Sequence, residues 1–113
     1  MIVRTEALVR LPHLSRGDFQ SHWREHHAPL VISLASALGI RGYKQLHSLA
    51  TDANTDPAFD GFAYVAFESL VAFEQMLSST KGRSAARAIR NDERNFIDRS
   101  RSLVVWGAER SII

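Results

Sequence analysis

FAYVAFE, residues 62–68, is rich in aromatic and β-branched side chains and reads as a β-strand. Its apolar residues stand at both parities. Successive side chains of a strand point to opposite faces of the sheet, so Phe62, Ala63, Tyr64, Val65 and Phe67 cannot all face one layer of helices. Leu103, Val104, Val105 and Trp106 pose the same difficulty in a second segment, SLVVWGA at 102–108. A sheet built from these strands needs cover on both faces, and the fold follows from what the rest of the chain has available to cover it.

Working outward, residues Ile2 to Leu11 alternate, with Val3, Ala7 and Val9 on one side and Arg4, Glu6 and Arg10 on the other, which predicts a first strand. Ser15 with Asp18 resembles a shortened capping box, and Phe19, Trp23, Leu30, Leu34 and Leu38 continue as the apolar stripe of one long helix. Gly39 is the expected stop. Ile40 to Leu49, with Tyr43, Gln45 and His47 in alternation, predicts strand two. The polar run ATDANTDPAFD at 50–60 predicts a long loop of the kind that often covers a site. After the strand at 62–68, Ser69 caps a helix to about Ser78 with Leu70, Phe73 and Leu77 on one side. Gly82 is expected to interrupt it before a further helix from about Ser84 to Phe96, and residues 102–108 form the last strand. The order β-α-β-β-α-β is that of the ferredoxin-like α+β fold: one domain over 1–113, an antiparallel sheet with helices on one face. No further element is left for the second face. A second copy of the chain, packed sheet against sheet, is the simplest cover, with the terminal Ile112 and Ile113 extending into the contact.

Composition bounds the chemistry. With 45% hydrophobic and 23% charged residues the chain resembles an ordinary soluble domain, and without cysteine it has neither disulfides nor thiolate ligands nor a thiol nucleophile. It contains no apolar run of the roughly 20 residues that span a bilayer, and MIVRTEALVR is no signal-peptide core, so a cytoplasmic protein with no membrane association is expected. Fourteen basic against twelve acidic residues give a net charge of +2, too small to indicate nucleic-acid binding. Arg83, Arg87, Arg90 and Arg94 share one helical face, but Asp92, Glu93 and Asp98 dilute the stripe, which reads as a solvated, salt-bridged surface.

The densest chemistry is HWREHHAPL, residues 22–30, whose first five letters spell the H-x-x-E-H pattern of one class of zinc peptidases. On a helix His22 and His26 lie within about 40° of each other. A peptidase of that class needs a third ligand and a larger scaffold, and no metal is expected here. His27, by contrast, falls within about 40° of Trp23 and faces inward with the apolar stripe. Pro29 lacks an N–H, which leaves the carbonyl of Glu25 without its usual partner and predicts a bend beside that histidine. His27 is then either a satisfied core histidine or the wall of a pocket between helix and sheet.

Phe19, His22 and Trp23 followed by His27, Ala28, Pro29 and Leu30 match the F-x-x-(Y/H)-W-x-x-x-H-A-P-L stretch of the EthD family, of the dimeric α+β barrel superfamily. The preceding strand, and Gly39, Ile40 and Tyr43 as G-[IV]-x-x-Y, also resemble it, so the similarity covers most of the chain. The resemblance implies a homodimer whose sheets form a barrel, a small-molecule pocket in each subunit, and His27 and Tyr43 as pocket residues. Relatives include lactone isomerases, polyketide decarboxylases, dehydratases and cyclases, and monooxygenases without cofactor. Architecture is thus implied more firmly than reaction. The expected activity is a cofactor-independent lyase, isomerase or cyclase acting on a cyclic, aromatic or polyketide-like carbonyl compound. His27 would be the base and Tyr43 the oxyanion donor, with Trp23, Trp106 and Phe67 as flat walls. His47, of the same parity as Tyr43, is a second candidate base or an exposed strand histidine. The alternatives are a cofactor-free monooxygenase on a quinol or anthrone, and a non-catalytic ligand-binding barrel. Haem binds to distant relatives, but this chain has no attachment motif.

Overall fold

The computed structural model describes all 113 residues. Strand β1 spans Ile2–Leu8, helix α1 Arg16–His22, a π-helical turn Trp23–His27, helix α2 Ala28–Leu38, β2 Ile40–His47, β3 Gly61–Phe67, α3 Leu70–Ser78, α4 Thr80–Glu93 and β4 Leu103–Ala108. The strands form one antiparallel sheet in the order β2-β3-β1-β4. This is the ferredoxin-like α+β arrangement expected, with β1 and β3 at the centre and the helices on one face. No helix is long and apolar enough to cross a membrane.

The local signals at the helix ends act as their chemistry dictates. Ser15 Oγ accepts the Asp18 N–H at 3.0 Å and opens α1, while Gly39, at φ 70°, closes α2 in the left-handed region that glycine enters without a Cβ penalty. The expected single helix from Ser15 to Leu38 is instead interrupted. Between α1 and α2 the Ala28 N–H reaches back five residues to the Trp23 carbonyl, so the irregularity is a π turn ahead of the proline and not a kink at it. Pro29 then sits in the first turn of α2, directly after that π turn. The expected interruption at Gly82 also moves. The break falls at Ser79, which ends α3 and caps α4 by accepting the Gly82 N–H at 3.0 Å. Gly82 lies inside α4 because the chain folds back closely there: a Cβ on it would stand 1.8 Å from the Met76 carbonyl oxygen.

The faces of β1 are the largest departure from expectation. Arg4 and Glu6 share the parity of Leu8 and turn toward the helices, leaving Glu6 only 5% exposed, while Thr5 and Ala7 point the other way. Below them Leu8, Phe19, Trp23, Ala63, Phe96 and Ile97 form the main core. Phe19 packs on Trp23 and Phe96 with ring centroids 5.6 and 5.4 Å apart, and complete burial of such a ring contributes about 1.5–3 kcal/mol. The 48–60 loop is anchored through its last residue. Asp60, 2% exposed, accepts the Arg10 N–H at 2.8 Å and pairs with the Arg10 and Arg16 guanidiniums. On the sheet face away from the helices, Leu46, Phe62, Leu103 and Val105 lie open, Leu46 and Val105 at 63% and 62% exposure.

Gly82→Ala is expected to cost about 2 kcal/mol or more through the clash with the Met76 backbone. Urea unfolding measures it; a midpoint unchanged from wild type would show that the α3–α4 junction yields freely.

Candidate active site

A cavity of about 550 Å³ lies between the inward face of the sheet and the helices, within the usual size range of small-molecule sites. Sixteen of its 22 lining residues are hydrophobic, so water that enters it gains few partners and a flat apolar guest displaces it readily. His27, Tyr43, Trp23, Phe67 and Trp106 all line it. His47 does not. No residue of the 48–60 loop lines it either, so the expected covering role of that loop does not hold; the loop is tied down at Asp60 instead.

The π turn places His27, which is 4% exposed, with its ring edge-on to Phe96 at 5.0 Å. Its Nδ1–H donates to Asp92 Oδ2 at 2.7 Å, and His22 Nε2–H donates to Asp92 Oδ1 at 3.0 Å. Burial alone would push the Asp92 carboxyl up, but the hydrogen bonds from His27, His22 and Asn95, with the charge of His22, outweigh it and hold the group below the usual carboxylate range. An ionised carboxylate only accepts, so both facing imidazole nitrogens carry protons. His27 Nε2 is therefore the lone-pair nitrogen whenever the ring is neutral. It has no hydrogen-bond partner in the protein and is not among the sealed polar atoms, on a residue that lines the cavity. His22 of the H-x-x-E-H pentad is thus occupied by Asp92, and no group of three or more His, Asp or Glu side chains is arranged to hold a metal ion.

Tyr43 is fixed from the sheet side. The Gln45 amide Nε2 donates to the Trp23 carbonyl at 3.0 Å and to Tyr43 Oη at 2.8 Å. With its amide oriented by that carbonyl, Gln45 presents Oε1 to His47 Nε2–H at 2.8 Å. Tyr43 Oη is already an acceptor and keeps its own proton for a further partner. Burial is the main reason its pKa lies above the usual 10; the hydrogen bonds with Gln45 and Trp23 oppose this and the charges of Glu6 and Glu93 add to it. His47 stacks on Trp23 with centroids 4.7 Å apart, and burial, then the charge of Arg24, lowers its pKa. Its Nδ1 is buried without a partner, an arrangement that suits only the neutral ring. His47 orients Gln45, and through it Tyr43, from outside the cavity.

The aromatic wall is a cluster in which Phe73 lies 4.6 Å from Phe67 and 5.0 Å from Trp106. Beside it on the sheet, where Arg4 pairs with Trp106 across β1 and β4, is a charged group of which the sequence reading placed only Glu93 on a solvated surface. Arg99 donates to Glu6 and Glu93, each at 2.7 Å, and Arg4 reaches Glu6 at 3.2 Å. Arg90 also lines the cavity. Asp92 and Glu93 were read only as dilution of the arginine stripe. Glu93 lies within about 40° of both Ala86 and Ile89 on the helical wheel, and these mark the inward side of α4, so its position was an available signal; Asp92, about 60° from Ile89, lies at the edge of that side.

The depressed pKa of Asp92 has a sign that stability reports. A carboxyl whose folded value lies below its unfolded one stabilises fully above the unfolded value, near 4, and that stabilisation drains away as pH falls below it. Asp92→Asn is expected to be less stable at neutral pH and to show a flatter loss of stability below about pH 4. Chemical unfolding across pH 2–7 measures this, and parallel wild-type and variant curves would contradict it.

Comparison with known proteins places this geometry in context. No curated protein matches the chain. Among solved structures, an ethyl tert-butyl ether d (ethd) family protein from Bacillus halodurans C-125 superposes with a TM-score of 0.67 at 19% identity, covering 97% of this chain and 100% of its own. A dimeric ferredoxin-like protein from Thermobifida fusca YX gives 0.60 at 14% identity, with 96% and 90% covered. SnoaB, a cofactor-independent oxygenase from Streptomyces nogalater, gives 0.54 at 16% identity, with 99% and 93% covered. These similarities establish the fold. The family model of the EthD domain matches residues 11–100, a span that runs from the connection ahead of α1 past Asp92 and Arg99, and on that match the chain belongs to the EthD family.

Proposed function

We propose that this chain is a cofactor-independent enzyme that moves protons on a cyclic, aromatic or polyketide-like carbonyl compound, as a lyase, isomerase or cyclase. The observation that carries this reading is His27: it lines an apolar cavity, its Nδ1–H is held by Asp92 at 2.7 Å, and its Nε2 has no partner in the protein. In the proposed step Nε2 takes the proton from the carbon next to the carbonyl, and the C–H electron pair moves into the enolate. Asp92 stabilises the imidazolium that forms. Tyr43, with its proton retained and its oxygen engaged by Gln45, donates to the enolate oxygen. The imidazolium then returns the proton to another position, or to a leaving group. Trp23, Phe67 and Trp106 serve as walls for the ring, and His47 as support for Tyr43 through Gln45.

A second reading has one supporting observation, the likeness to a cofactor-independent oxygenase. The same deprotonation of a quinol or anthrone would give a carbanion that reduces molecular oxygen directly. Oxygen uptake separates the two, since the first reaction consumes none. Tight binding with neither conversion nor uptake would favour a ligand-binding barrel.

We also infer a homodimer joined through the open sheet face, with Leu46, Phe62, Leu103 and Val105 of each copy covering those of the other. The dimeric ferredoxin-like relative supports this arrangement.

For the site, the expected readout is deuterium exchange into the methyl group of 2-acetylnaphthalene, followed by NMR. His27→Ala should slow it about 10²–10⁴-fold and Tyr43→Phe about 10²-fold while both variants stay folded. Exchange at the wild-type rate in His27→Ala removes the proposed base. For the assembly, light scattering should give twice the chain mass for wild type and the single mass for the double variant Phe62→Glu, Val105→Glu. A monomeric wild type overturns the dimer.

A further inference from the structure

The polar end of the cavity points to a substrate class, on the reading that the cavity is a carbonyl-processing site. Glu6 on β1 is 5% exposed in a wall that is otherwise mostly apolar, and a buried carboxylate is tolerated there only because it is paired. The pairing is one-sided. Arg99 Nη1 at 2.7 Å and Arg4 Nη2 at 3.2 Å both meet Oε1. Oε2 has no partner in the protein, yet it is not sealed, so this acceptor opens onto the cavity. Arg99 is locked on its other side by Glu93 at 2.7 Å. Burial would lower the Arg99 pKa, but the two carboxylates outweigh that and keep the guanidinium charged. The Glu6 side chain is therefore held in one orientation by a fixed cation and offers one free lone-pair site.

Glu6 also stands at a definite place relative to the reacting groups. In the sheet order β2-β3-β1, Tyr43 on β2 and Glu6 on β1 are separated by one intervening strand. In this register Tyr43 stands opposite Arg4, two residues along β1 from Glu6. Two strand spacings across and two residues along put their backbones about 12 Å apart, the scale of a flat molecule of two fused rings with a substituent at each end. The charges of Glu6 and Glu93 reach Tyr43 across this space. A ligand whose carbonyl meets Tyr43 and His27 thus extends its far end toward Glu6.

We infer that Glu6 is a specificity-determining residue whose free Oε2 accepts a hydrogen bond from a hydroxyl at the far end of the ligand, so that the substrates are phenolic or enolic carbonyl compounds. A carboxylate-bearing ligand fits less well at this atom, because Oε2 is itself an acceptor and Arg99 and Arg4 are already paired with Glu6 and Glu93; Arg90 is the cavity-lining cation left to such a ligand, and the carboxylate arm of the test reports it. An entirely apolar ketone fits less well too, because it would strip water from Oε2 and return nothing.

The test is equilibrium binding to the full chain, followed by quenching of Trp23 and Trp106 fluorescence, of 2-acetylnaphthalene, its 6-hydroxy and 6-methoxy derivatives, and its 6-carboxylate. The 6-hydroxy compound is expected to bind on the order of tenfold or more tighter than the other three. Glu6→Gln should bring that preference down to about two- to threefold or less, with the affinity for the unsubstituted ketone nearly unchanged. Equal binding of the hydroxy and unsubstituted ketones in wild type overturns the inference without help from any variant, and so does a hydroxyl preference that survives in Glu6→Gln. Tighter binding of the carboxylate overturns it in favour of an arginine-led anion site. Both leave the carbonyl-processing reading intact. If none of the four binds, that reading fails together with this one.

Discussion

The site depends on one carboxylate shared by two imidazoles. Asp92 meets His27 at 2.7 Å and His22 at 3.0 Å, joining α4 to the junction of α1 with the π turn. Because the carboxylate accepts at both oxygens, it determines which nitrogen of each ring carries the proton, and so which nitrogen of His27 is left with a lone pair. A neutral partner at this position would leave the tautomer open. The π turn does the complementary mechanical work. It sets His27 beside Phe96 and the cavity while leaving His26 outside, so adjacent histidines have unlike surroundings.

The opposite wall of the cavity is organised by the sheet. Tyr43 and Gln45 come from β2, Glu6 and Arg4 from β1, and Ala63 and Val65 lie on β3 between them. Strands have a fixed spacing, so the separation of Tyr43 from Glu6 is set by the backbone, while Ile97 and Arg99 reach the cavity from the connection between α4 and β4. This makes the cavity a rigid frame. Three of its polar groups are each oriented by a partner: His27 by Asp92, Tyr43 by Gln45, Glu6 by Arg99. Such pre-orientation matters energetically because every group that is already placed spares a ligand the entropy of placing it.

The fold was legible because its signals are local. Ser15, Gly39 and Ser69 are short-range caps whose effect does not depend on distant contacts, and the strands carry period-two patterns. The motif on residues 19–30, together with Tyr43, identified one side of the cavity for the same reason. What was not legible depended on tertiary pairing. The charged parity of β1 looked like a solvent face because Arg4 and Glu6 are polar, and only Arg99, more than ninety residues away, makes their inward position tolerable. Asp92 and Glu93 likewise acquire their roles from His27, His22 and Arg99. Gly82 misled in another way: a glycine that permits a close backbone approach looks in sequence like one that breaks a helix.

This division also bears on how one fold serves several reactions. The reacting end is built from a short helical segment and one strand position, a compact set in sequence. The far end draws on β1, α4 and the segment before β4, whose residues meet only in the folded chain. On the reading proposed above, Glu6, Arg90 and Arg99 border the cavity without a hydrogen bond to His27 or Tyr43, although the charge of Glu6 acts on Tyr43. On that reading the two ends meet on α4, whose Asp92 holds His27 and whose Glu93 holds Arg99, while Tyr43 and Glu6 stand on different strands of one sheet.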